Sequence, residues 1–256
     1  MKESLPLGRL SAFPPPRKPA PARLKSKQMA DTLYLSLWYP NLRLEGLPDK
    51  LTAVLAAFAA HGGEGKVYAA TVWPVSWGEA PVFQRVWGRG GGGPERGAVP
   101  REAVEEATEL LHDDYAYEFQ IGWSLWELES GGAGEDPSAS LMAGSRTTAG
   151  QETSGTSGWV REPRLVRVTG FGPLFDEGAY EQEGHVKVDF GSDAPFLEED
   201  ADLGQVGAKH VAENVLQLVE LTAAIEKGSG ATARLLWSEL GESLAQRLAA
   251  RLGVGN

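Results

Sequence analysis

The chain has no cysteine in 256 residues, and only four histidines. That excludes disulfides, thiolate nucleophiles, iron–sulfur clusters and cysteine-ligated zinc, and leaves carboxylates, hydroxyls, amines and imidazoles for any chemistry. His61, His112, His185 and His210 show no metal-ligand spacing to one another, so no metal and no cofactor is expected. Long hydrophobic runs are missing too. Nothing approaches the roughly 18 consecutive apolar residues of a membrane span, and the N-terminus lacks the short apolar core of a secretory signal, so the expected setting is cytoplasmic with no membrane contact.

Positive charge is scarce and unevenly placed. Against 35 Asp and Glu stand 24 Lys and Arg, a net of −11. Residues 1–28 hold seven Lys or Arg and one acid, a net of +6, so the remainder carries −17. A field of that sign repels nucleic-acid phosphates and anionic membranes and favours a basic protein as partner. Residues 1–28 are also rich in proline (Pro14, Pro15, Pro16, Pro19, Pro21) and poor in patterned apolar groups, which predicts a disordered basic tail. Met29 stands just before the first strand pattern and is the alternative start.

What is abundant is patterned. Residues 32–39 are rich in aromatic and apolar side chains, with Leu33, Leu35 and Leu37 in period two, and read as a strand stopped by Pro40. Leu47, Leu51, Val54, Leu55 and Phe58 recur at helical spacing behind Pro48, and Gly62 and Gly63 end that helix. Residues 66–73 and 82–87 form two strands around a turn at residues 76–81. The glycine-rich stretch from Gly88 to Gly93 lacks the Gly-Lys-Ser/Thr of a phosphate loop and reads as a plain flexible loop. A second helix follows over Pro100 to Leu111, with Ala103, Val104, Ala107, Leu110 and Leu111 on one stripe. Then Phe119, Ile121, Trp123 and Leu125 alternate with Glu118, Gln120, Gly122 and Ser124 as a strand.

The order β-α-β-β-α-β over residues 29–128 predicts an α+β chain whose first half is ferredoxin-like, with an antiparallel sheet covered on one face. Residues 129–160, dominated by Gly, Ser, Thr and Ala, read as a flexible linker or loop. Residues 161–256 add two strands, 163–171 and 185–190, and two C-terminal helices, one marked by Val211 to Ile225 and one by Leu236, Leu240, Leu244 and Leu248 at i+4 spacing. The two halves are expected to pack as one unit.

Candidate sites are few. His185, Lys187 and Asp189 share one face of a strand, opposite Val186, Val188 and Phe190; His185 and Asp189 are candidate catalytic groups, although a solvent-facing sheet surface gives the same alternation. The acids of residues 198–202 lack the pattern of a calcium loop and read as a solvated loop. Trp77 and Glu79 at the presumed turn, together with Trp126 and Lys187, are candidate binding residues, because tryptophans placed outside a core carry interface energy. Two function classes follow. One is a binding module that recognises a basic protein as inhibitor or immunity proteins do, an analogy of charge and size only. The other is a hydrolase or metal-assisted enzyme built on His185, Asp189 and nearby acidic loops. A homo-oligomer formed through an uncovered sheet face or edge is a further expectation.

Overall fold

The structure is a computed structural model that describes residues 31–88, 97–128, 158–197, 203–239 and 244–252. The predicted tail 1–28, the alternative start at Met29, most of the 129–160 stretch and the acidic loop 198–202 lie outside the described residues.

Seven strands, β1 (Thr32–Trp38), β2 (Gly63–Pro74), β3 (Phe83–Val86), β4 (Tyr115–Leu128), β5 (Trp159–Phe171), β6 (Val186–Ser192) and β7 (Ala233–Ser238), form one antiparallel sheet in the order β3-β2-β4-β5-β6-β1-β7. Among the described residues six α-helices accompany it: α1 (Leu47–Ala60), α2 (Pro100–Ala107), α3 (Tyr180–Glu183), α4 (Ala194–Leu197), α5 (Gly204–Ser229) and α6 (Leu244–Arg251). The chain is α+β as expected, but the ferredoxin-like order is replaced. In that order β1 would pair with a strand of its own half; here β6 and β7 flank it, and β5 and β6 lie between it and β4. The cause is the β4–β5 ladder, unbroken from Ala116↔Phe171 to Leu128↔Trp159. It joins the two halves of the sequence edge to edge.

The pairing directions make β1 and β2, β3 and β4, and β6 and β7 mutually parallel, so α1, α2 and α5 are crossover connections. Crossovers of one hand on one sheet put their helices on one face. There Leu51, Val54 and Phe58 of α1, Val104 of α2, Val215, Leu218 and Ile225 of α5, and Leu244 and Leu248 of α6 close over Leu33, Leu35, Phe119, Trp123, Val168, Val188 and Phe190 in one core. Gly170 lets α1 approach, since a Cβ there would stand 2.9 Å from a Leu51 methyl.

Two further expectations need correction. Residues 233–238 are strand β7, so Leu236 does not belong to the last helix; Leu240 lies outside the described residues, and α6 is described from Leu244. Edge pairing with β1 and a ring contact between Trp237 and Tyr34 at 4.6 Å outweigh the local leucine spacing. Helix α2 stops at Ala107, leaving Leu110 80% exposed, because Thr108 folds its Oγ1 back to the Val104 carbonyl at 2.7 Å.

Candidate functional site

Among the described residues the sheet's second face carries no crossover helix. At one end of it the segment 172–184 folds over the strand ends and builds a small separate core, in which Ala116, Phe171 and Phe175 pack with Trp73, Ala179 and Tyr180. Its turn is tight. Asp176, Glu177 and Gly178 have φ of 46°, 56° and 87°, a left-handed run that a β-branched residue would resist.

The β2–β3 connection meets this segment. Val75, a β-branched residue held at φ 59°, donates its N–H to the Asp114 carbonyl and accepts from the Asp176 N–H, both at 2.7 Å. Those two bonds tie three segments together and account for a conformation costing on the order of 1–3 kcal/mol. The strained turn presents Trp77, whose ring lies 5.1 Å from Phe175, 5.8 Å from Trp73 and 6.1 Å from Phe171 in edge-to-face contacts. One side of Trp77 is thus fixed by aromatic packing, and 44% of the residue stays open to solvent. Val75 (53%), on the same turn, and Leu174 (65%), on the segment hydrogen-bonded to Val75, are also exposed. Residues 74–82, 108–116 and 172–184 hold eight Asp or Glu and no Lys or Arg. Glu79, which is exposed, belongs to this group.

The other candidate residues stand elsewhere. Trp126 is half-buried under α5, its ring 4.1 Å from His210 and its backbone N–H held at 2.9 Å by Asn214 Oδ1. Asn214, wholly buried, also donates to the carbonyls of Trp126 and Pro195, so the site of Trp126 is an anchorage of the helix. Lys187 pairs with Glu183 and lies over the rings of Tyr34 at 4.4 Å and Trp237 at 5.5 Å. Asp189 accepts from Arg167 at 2.8 Å and from the Gly191 N–H at 2.8 Å. Nearby Glu118 has its carboxyl pushed above the usual range by burial, with Arg167 opposing. His185 lies at the end of the strand. Its Nδ1 accepts the Tyr39 N–H at 3.3 Å, its ring lies 4.9 Å from that of Tyr180 at a tilt of 35°, and burial lowers its pKa. Four residues separate His185 from Asp189 on an extended strand, about 13 Å, and the partners of each are different.

The aromatic platform under Trp77 was not singled out from the sequence. Its signal is present, since Phe171, Leu174 and Phe175 are large apolar residues inside a segment otherwise read as an acidic glycine loop. Among the described residues no cluster of His, Asp and Glu could hold a metal ion, and no helix is long and apolar enough to cross a membrane. No family model, curated protein or solved structure matches the chain.

Proposed function

We propose that the chain is an acidic protein-binding module that docks a basic protein through the Trp77 end of its sheet, as an inhibitor or immunity protein would. One observation carries the reading: a tryptophan packed on one side by three rings and open on the other, on a turn that carries Glu79 and is hydrogen-bonded to the segments of Asp113, Asp114, Asp176 and Glu177. An aromatic anchor with a charged surround is the usual energetic plan of a specific interface. The enzyme reading draws less support, because His185 and Asp189 do not share partners or a pocket.

Immobilised protein should capture a basic partner at low salt and release it as salt is raised. Trp77→Ala should abolish capture while the circular dichroism spectrum stays unchanged. Failure to recover any basic protein at low salt, or full recovery by the Trp77→Ala variant, would overturn the proposal.

A further inference from the structure

The Trp77 surface is acidic with an open ring, and the same chain carries a segment of the opposite character. Residues 1–28 hold seven Lys or Arg, no acid follows Glu3 before Asp31, and Phe13-Pro14-Pro15-Pro16-Arg17-Lys18-Pro19 joins a proline run to two cations. Successive prolines fix φ and favour an extended helix that loses little entropy on docking. Segments of this kind dock on exposed aromatic side chains, and acids beside the ring select for cations beside the prolines.

The surface meets both requirements. Trp77 keeps 44% of its area open above the rings of Trp73, Phe171 and Phe175. Leu174 donates its N–H to the Asp113 carbonyl at 2.8 Å, and Asp176 donates to the Val75 carbonyl at 2.7 Å. Those bonds bring Asp113, Asp176 and Glu177 to the turn that carries Trp77 and Glu79. All four acids are exposed, and none makes an ion pair among the described residues. Like charges gathered at one end repel one another, and cations docked there relieve that repulsion.

Length permits the contact. Strand β1 starts at Thr32, opposite Ser192, and Leu37 near its other end stands opposite Val186, which also pairs with Gly170 beside Phe171. Five residues of strand and two strand spacings put Thr32 roughly 20 Å from Phe171. Lys18 and Thr32 are 14 residues apart and, at about 3.1 Å per residue, span roughly 40 Å.

We infer that residues 13–18 dock in cis on the Trp77 end, the prolines against the open side of the indole and Arg17 and Lys18 among Glu79, Asp113, Asp176 and Glu177. This contact rests on the binding surface proposed above and names its resident occupant. A segment tethered at this length has an effective concentration on the order of 1 mM. A basic partner therefore binds by displacing it, and apparent affinity falls with the fraction of surface left free. The segment is a competitor that admits strong partners and turns away weak ones.

A chain without cysteine takes a single nitroxide label at Ala12→Cys, and NMR of the tryptophan indole N–H signals in the full chain reports what the label approaches. At low salt the label should broaden Trp77 strongly, and less as salt is raised. Trp126 and Trp159, at the opposite end of the β4–β5 ladder from Phe171, should stay sharp. Arg17→Glu with Lys18→Glu should restore the Trp77 signal. The same pair should tighten binding of a synthetic peptide of residues 9–22 about tenfold, the factor expected of a tethered competitor at about 1 mM whose own Kd is about 0.1 mM. No broadening of Trp77, broadening unchanged in the double variant, or peptide affinity unaltered would each overturn the inference. So would broadening seen only when label and signal sit on different chains of a mixed sample, which assigns the surface to a second copy. Capture that depends on Trp77, together with a Trp77 signal the label leaves sharp, keeps the surface and removes its cis occupant; loss of both removes both.

Discussion

Tyr39 and Tyr117 are both buried phenols pushed up to about 12 by burial, yet their hydroxyls are held differently. Tyr117 Oη accepts the His112 N–H at 2.8 Å. The Tyr39 hydroxyl faces that of Ser229, and neither completes a hydrogen bond of good geometry. Removing an unsatisfied buried hydroxyl costs little, whereas removing a partner leaves a group orphaned. Tyr39→Phe should therefore lie within about 0.5 kcal/mol of the parent at neutral pH, while Tyr117→Phe should lose about 1 kcal/mol or more, as read from chemical denaturation. The alkaline limb separates the two states further. An unfolded tyrosine ionises near 10 and the folded Tyr39 near 12, so the folded state binds more protons over that interval. Stability carried by the neutral Tyr39 is complete below pH 10 and is lost as pH rises through about 12, an amount of roughly 3 kcal/mol. Between those limits Tyr39→Phe should become progressively more stable than the parent.

At the level of elements, the strained turn at Val75 is where stability and function should part. Glycine at φ 59° relieves the left-handed conformation, so Val75→Gly should raise stability by up to about 1 kcal/mol. The same change removes an exposed apolar group next to Trp77 and should weaken capture of a basic partner. A loss on both counts, by denaturation and binding assay, would mean the turn is held by contacts other than the two 2.7 Å hydrogen bonds. Phe175→Ala tests the platform from below. Deleting a fully buried ring should cost on the order of 3–5 kcal/mol and free the Trp77 indole, visible as a red shift of tryptophan fluorescence.

These elements also show what local pattern reveals. The alternation from Phe119 to Leu125 and the stripe from Leu47 to Phe58 were legible, because burial on one face writes itself into a period of two or of 3.6. Strand β7 was not. It lies at an edge, residues 233–235 are exposed, and its Leu236 happens to fall four residues before Leu240 and eight before Leu244. Its identity comes from pairing with β1, about 200 residues away in sequence. The exposed turn of Trp77 and Glu79 was visible in the sequence, but the rings beneath Trp77 come from β2, β5 and the segment after it.

For the whole molecule, the described crossover helices all lie on one face of the sheet, and the net charge makes two opposite demands on salt. A net of −11 repels itself, so a rise in ionic strength, which shortens the screening length from about 30 Å at 0.01 M to about 3 Å at 1 M, should raise the thermal midpoint of the free protein. The same screening weakens attraction to a basic partner and should slow association. A double change at exposed acids of the Trp77 end, Glu79→Lys with Asp113→Lys, brings the net charge from −11 to −7. It should shrink the salt-dependent gain in midpoint and, if the acidic end does the steering, cut the low-salt association rate much more than an equal charge change placed on α5. Equal effects from the two positions would assign the steering to net charge alone. A loss confined to the Trp77 end would assign it to the local field, which the absence of any lysine or arginine from three adjoining segments produces.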